Sequence, residues 1–90
     1  MRTVLPLLAE YLGTFLLTLA YLSTSNILTI GVLFFIILFL ILPISGACLN
    51  PAVSWVMYLK GNLGYIELLY YVVIQLLAGT TAFYVQGLLE

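Results

Sequence analysis

The chain has 90 residues, 66% hydrophobic and 6% charged, with two basic residues, three Glu, no His and a formal net charge of −1. A soluble domain is about a quarter charged, so this composition excludes a soluble globular domain, a disordered chain and a nucleic-acid binder, which needs a stripe of Lys and Arg. It also withholds the parts of a metal centre or a Ser-His-Asp triad, and the single Cys48 has no intrachain disulfide partner.

The apolar runs are measured against a hydrocarbon core of about 30 Å. Residues 3–21 form a helix of about 28 Å and read as a first span. The alternative, a signal peptide, lacks a small-x-small cleavage site before Asn26. Residues 22–26 read as a polar turn. Residues 27–42 make a second span of about 24 Å. Residues 43–50 carry Pro, Gly and small residues. Residues 51–59 then predict a helix of about 13 Å, which crosses only half the core. Residues 60–64 read as a wet loop, and residues 65–89 as a third span long enough to tilt. No internal repeat and no glycosylation acceptor appear. The fold expected is an all-α, multi-pass membrane protein with three transmembrane helices and one re-entrant half-helix. The single domain spans residues 1–90.

The re-entrant segment carries the chemistry. Asn50 is a good N-cap and Pro51 suits the first helical position. A helix that starts near mid-membrane aims its free N–H groups and positive dipole end at the preceding loop. Such irregular backbone needs protein or a water-filled cavity around it. The plain alternative is a wet surface loop and an interfacial helix with no pore.

The string Ile44-Ser45-Gly46-Ala47-x-Leu49-Asn50-Pro51-Ala52-Val53 resembles the first-half signature of the aquaporin and glycerol-facilitator family, the major intrinsic proteins. Ala9-Glu10-Tyr11-Leu12-Gly13-Thr14-Phe15 is similar to that family's first-span pattern, and Val73-Ile74-Gln75-Leu76-Leu77-Ala78-Gly79 to its third-span motif. The likeness covers nearly the whole chain but only half of a family member, which carries two inverted Asn-Pro-Ala halves. The resemblance implies a passive channel for water or small neutral solutes such as glycerol, with no enzyme activity and no cofactor. Asn50 would donate hydrogen bonds to the passing molecule, Pro51 and Ala52 would shape the junction, and the Ser45, Gly46, Ala47 and Cys48 segment would line the path with carbonyls. Glu10 and Gln75 would support the loop.

Half a pore leaves a half-helix tip with nothing to meet, so a second copy is expected. Three spans put the termini on opposite faces, and an inverted pair therefore requires dual topology. Arg2 and Lys60 fall on one side, a weak bias that permits both orientations. Partners expected are the lipid bilayer, an inverted copy and higher assemblies of such dimers. The alternative is a piece of a longer two-repeat protein.

The resemblance breaks at the selectivity constriction. Ile30 stands where the family usually has an aromatic, Val53 where its second half has Arg, and Leu38 at the fifth-span position. Cys48 stands where His is common. An apolar constriction predicts weaker discrimination, or gating by dewetting; the alternative is that Ile30, Leu38 and Val53 pack helices. Glu10, a carboxyl within a span, has a proton-coupling reading; the structural reading, acceptance of the loop's N–H groups, is favoured. Cys48 reads as a small filler or as a pore-side thiol. Tyr58, Tyr65, Tyr70, Tyr71 and Tyr84 read as interfacial anchors, and Trp55 as packing. Besides the channel, a small proton-coupled transporter using Glu10 and a non-conducting structural membrane protein remain as readings.

Overall fold

The computed structural model describes residues 4–90. Four helices follow in order: α1 Val4–Ser23, α2 Ile27–Ser45, α3 Pro51–Lys60 and α4 Tyr65–Leu89. α1, α2 and α4 are each long and apolar enough to cross a membrane. Arg2, with its part in the charge bias, and Thr3, the expected start of the first span, lie outside the described residues.

Two predicted boundaries move. The polar turn shrinks, because Thr24 N–H donates to the Ala20 carbonyl at 3.0 Å and carries α1 on to Ser23. Asn26 then caps α2, its Oδ1 accepting from Thr29 N–H at 2.9 Å. The second span does not stop before Pro43 but runs to Ser45. A proline removes one helical N–H bond. Unwinding there would orphan several backbone groups in hydrocarbon, each at a cost of several kcal/mol. The helix ends instead at Gly46, whose φ of 85° is the left-handed conformation glycine takes freely, with its N–H on the Leu42 carbonyl at 2.9 Å.

α1 is the central helix and packs on both α2 and α4, while α3 packs on α4. Small residues make this possible, as membrane helices lack a hydrophobic drive to associate and rely on close approach. Ala78 and Ala82 of α4 are fully buried. Tyr11 donates to Thr81 Oγ1 at 2.7 Å, tying α1 to α4. At Gly13 a Cβ would lie 2.8 Å from Leu49 Cδ2 and 2.9 Å from Ile41 Cδ1. Ala9, Ile37, Ile41, Ala47 and Leu49 form the core that backs the loop between α2 and α3.

Glu67 starts α4 by accepting from Gly64 N–H at 2.9 Å and placing a negative charge at the positive helix end. Near the α3–α4 loop, Trp55 lies tilted against Tyr58 at 5.6 Å, and Tyr58 meets Tyr65 edge-on at 6.4 Å. Trp55 is half exposed, so its packing is confined to this outer cluster.

Candidate functional site

The site is the loop from Ser45 to Asn50 and the tip of α3. Its depth follows from its partners. Thr14, half-way along α1, donates to the Leu49 carbonyl at 3.1 Å. The start of α3 therefore lies level with the middle of a membrane-spanning helix. α3, ten residues long, reaches about 15 Å from there.

The loop holds unusual backbone. Ala47 and Leu49 have φ of 48° and 64°, the left-handed region that costs a non-glycine residue about 1–2 kcal/mol. One carboxylate fixes them. Glu10 is fully buried. Its Oε2 accepts from Ser45 Oγ at 2.6 Å and Cys48 N–H at 3.0 Å. Its Oε1 accepts from Leu49 N–H at 2.8 Å and Gln75 Nε2 at 3.0 Å. Successive N–H groups turned inward by left-handed residues make an anion cradle, and here a side chain of the same protein fills it. All four partners donate, which suits a carboxylate, an acceptor-only group.

A second shell of hydrogen bonds holds these partners. Gln75 Nε2 also donates to Ser54 Oγ at 2.7 Å, and Ser54 Oγ donates to the Asn50 carbonyl at 3.1 Å. Two acceptors thus fix the orientation of the Gln75 amide and leave its Oε1 buried with no partner among the described residues. Ala47 N–H donates to Ser45 Oγ at 3.1 Å.

Tyr71 corrects an expectation. It is not an interfacial anchor: it is 4% exposed, and its hydroxyl donates to the Ser45 carbonyl at 2.8 Å. Tyr58 is half-buried in the outer aromatic cluster, and Tyr65, Tyr70 and Tyr84 are exposed. Ser54, wholly buried, is a second participant that the sequence reading passed over. A signal existed for both: Tyr71 lies one turn before Gln75, and Ser54 one turn after Asn50, each on the same helical face as its neighbour.

With the Cys48 and Leu49 N–H groups turned to Glu10, the loop presents carbonyls elsewhere. No described residue donates to the carbonyls of Gly46, Ala47 or Cys48. Asn50 caps α3 through Oδ1, which accepts from Val53 N–H at 2.9 Å. That bond leaves its amide Nδ2 as an uncommitted donor on an exposed residue. Pro51 and Ala52 are exposed beside it. A cavity of about 460 Å³ opens at this tip, bordered by Thr14, Thr18, Asn50, Pro51, Gln75 and Gly79. A smaller one, about 200 Å³, lies at the other end of the loop, bordered by Ser45, Gly46, Cys48 and Met57. Cys48 is 3% exposed.

Ile30, Leu38 and Val53 are half-buried, and none borders the cavity at the α3 tip. Leu38 packs against the core behind the loop. The structure thus brings together Glu10, Ser45, Gly46, Ala47, Cys48, Asn50 and Gln75; Leu38 touches only the core behind them, and Ile30 lies near the far end of α2. No cluster of His, Cys, Asp or Glu able to hold a metal occurs among the described residues.

The family model described as Major intrinsic protein matches residues 22–89. No curated protein and no solved structure matches the chain.

Proposed function

The chain belongs to the major intrinsic protein family, and from that premise we propose that it forms a passive channel for water and small neutral solutes, its pore completed by a second copy in the inverted orientation. It is an integral, multi-pass membrane protein with three apolar spanning helices. One observation carries the reading. Level with the middle of α1, a free amide donor on Asn50 follows three carbonyls, of Gly46, Ala47 and Cys48, that accept from no described residue. A molecule that both donates and accepts, and carries no charge, finds its hydration replaced there step by step.

Asn50, Pro51 and Ala52 act at the junction, and Ser45, Gly46, Ala47 and Cys48 line the approach. The positive end of α3 disfavours cations and protons at the junction. Glu10 and Gln75 hold the loop. Ile30, Leu38 and Val53 form an apolar constriction once two copies meet. The four donors around Glu10 support a fixed, loop-holding carboxylate over a proton carrier.

The inverted copy follows from an unfinished surface. α3 stops half-way, and its Asn50, Pro51 and Ala52 are exposed at the level of the membrane centre. Polar backbone there needs protein or water around it. A copy inserted upside down brings an identical tip to the same depth.

Stopped-flow light scattering on proteoliposomes tests the function. Wild-type protein is expected to give fast water flux of low activation energy, at least tenfold lower in Asn50→Asp. Flux equal to that of empty liposomes, for water and glycerol alike and with the helices intact, would overturn it.

A further inference from the structure

The smaller of the two cavities described at the loop, about 200 Å³, is bordered on one side by Asn62 and Leu63, in the turn between α3 and α4. On another side stand Gly46 and Cys48, whose carbonyls accept from no described residue. We infer that this turn is a mouth of the path, and that the Asn62 amide touches the permeating molecule there and controls its entry. The inference rests on the channel reading above and adds a residue to it, on an element outside the constriction of Ile30, Leu38 and Val53.

Three observations carry it. The first is unpaired backbone. A buried carbonyl needs a partner, and where no protein group supplies one, water does. Cys48 is 3% exposed, so a molecule that serves its carbonyl reaches it through the cavity that Cys48 borders. The second is depth. α3 has ten residues and ends about 15 Å from its tip, which is half of a hydrocarbon core of about 30 Å. With the tip at mid-membrane, the turn after α3 is the part of the cavity wall that meets the aqueous phase. The third is side-chain chemistry. Leu42, Met57 and Leu63, which also border the cavity, are apolar. The Ser45 hydroxyl is committed, donating to Glu10 at 2.6 Å and accepting from Ala47 N–H at 3.1 Å. The Cys48 thiol is a weak donor.

The Asn62 amide is the strong polar group that remains. Its Nδ2 has one long contact, to Met57 Sδ at 3.6 Å, and its Oδ1 accepts from no described residue. An amide both donates and accepts. Water that leaves the bulk between three apolar side chains keeps a hydrogen-bonding partner in Asn62. Without that partner the mouth is an apolar ring, which excludes water by dewetting. The backbone holds the amide in place. The Met57 carbonyl accepts from Asn62 N–H at 2.9 Å and from Leu63 N–H at 3.3 Å. Gly61, with φ of 93°, supplies the left-handed step that turns the chain back over the end of α3.

Thiol labelling tests the position, and substitution tests the chemistry. Asn62→Cys is labelled in detergent with a bulky neutral methanethiosulfonate, the adduct is confirmed by mass, and water flux is measured by stopped-flow after reconstitution. Flux is expected to fall at least fivefold against the unlabelled form of the same variant. Tyr65→Cys lies at an exposed position outside the border of this cavity and is expected to keep its flux when labelled. The unaltered chain, treated alike, shows what Cys48 contributes. Flux indifferent to the label at Asn62→Cys overturns the inference, and so does an equal loss at both positions. Leu63→Cys repeats the measurement if Asn62→Cys fails to fold. Asn62→Leu is expected to lower water flux at least fivefold and to raise its activation energy, while Asn62→Ser, which keeps a donor and an acceptor, retains most of it. Flux in Asn62→Leu equal to that of the unaltered chain would overturn the role of the amide. An unaltered chain with no flux at all would remove the channel reading itself, and this inference with it.

Discussion

Glu10 makes up for an unfavourable backbone. The left-handed residues Ala47 and Leu49 together cost roughly 2–4 kcal/mol. Glu10 accepts four hydrogen bonds, and each donor left buried without its acceptor would cost about 1–3 kcal/mol. The loop therefore keeps its shape because a carboxylate sits behind it. Glu10→Gln puts an amide N–H where an oxygen accepts, so at least one of Ser45 Oγ, Cys48 N–H, Leu49 N–H or Gln75 Nε2 loses its acceptor. Cys48, now buried, is expected to react with a small maleimide at least tenfold faster in Glu10→Gln. Unchanged labelling would mean that the loop holds itself. Tyr71→Phe is a milder probe. It removes one neutral bond, to the Ser45 carbonyl, and should lower stability by about 1 kcal/mol, read as a small drop in melting temperature in detergent.

At the scale of elements, α1, α2 and the loop converge closely on Gly13. A methyl there would collide with Leu49 Cδ2 and Ile41 Cδ1. Gly13→Ala is expected to destabilise by about 1–3 kcal/mol, the usual cost of overpacking. Gly31 of α2 has nothing within 4 Å, so Gly31→Ala should stabilise by up to about 1 kcal/mol through helix propensity. Opposite signs for two identical substitutions in one thermal-melt series check the packing directly; a shared sign would contradict it. The contrast shows what the sequence made legible. Both glycines are alike as letters, and only the fold separates them. Helix number and the approximate extent of each span were legible because hydropathy and bilayer thickness fix them. The capped start of α3 was legible because Asn-Pro has a local meaning. The end of α2 was not, because Pro43 is a local breaker overruled by the cost of orphaned backbone in lipid. Tyr71 misled for a related reason: a tyrosine between a wet loop and an apolar run fits an interface, and only the neighbouring Ser45 carbonyl turns it inward.

For the molecule as a whole, the question is orientation. Lys60 is the only cation among the described residues, and Arg2 is the other in the sequence. Lys60 lies on the side where α1 begins and α3 ends; Arg2, outside the described residues, precedes α1 in the sequence. Orientation in membranes follows the Lys/Arg balance of short loops. Two residues are a slight bias, and an inverted homodimer needs a population of each orientation. Adding three Lys before Met1 strengthens the existing bias and should lock the chain in one orientation. Adding three Lys after Glu90 should lock it in the other. Each locked chain alone is expected to lose most of its water flux, because α3 tips on the same face cannot meet end to end. Co-expression of the two should restore flux to near the wild-type level. The orientation of each chain is read independently, in a Cys48→Ala background, by labelling a cysteine at Ser25 with a membrane-impermeant thiol reagent. A singly oriented population that conducts as well as wild type would refute the inverted pair while leaving the channel itself standing. The pore would then have to be completed by parallel copies or by a different chain.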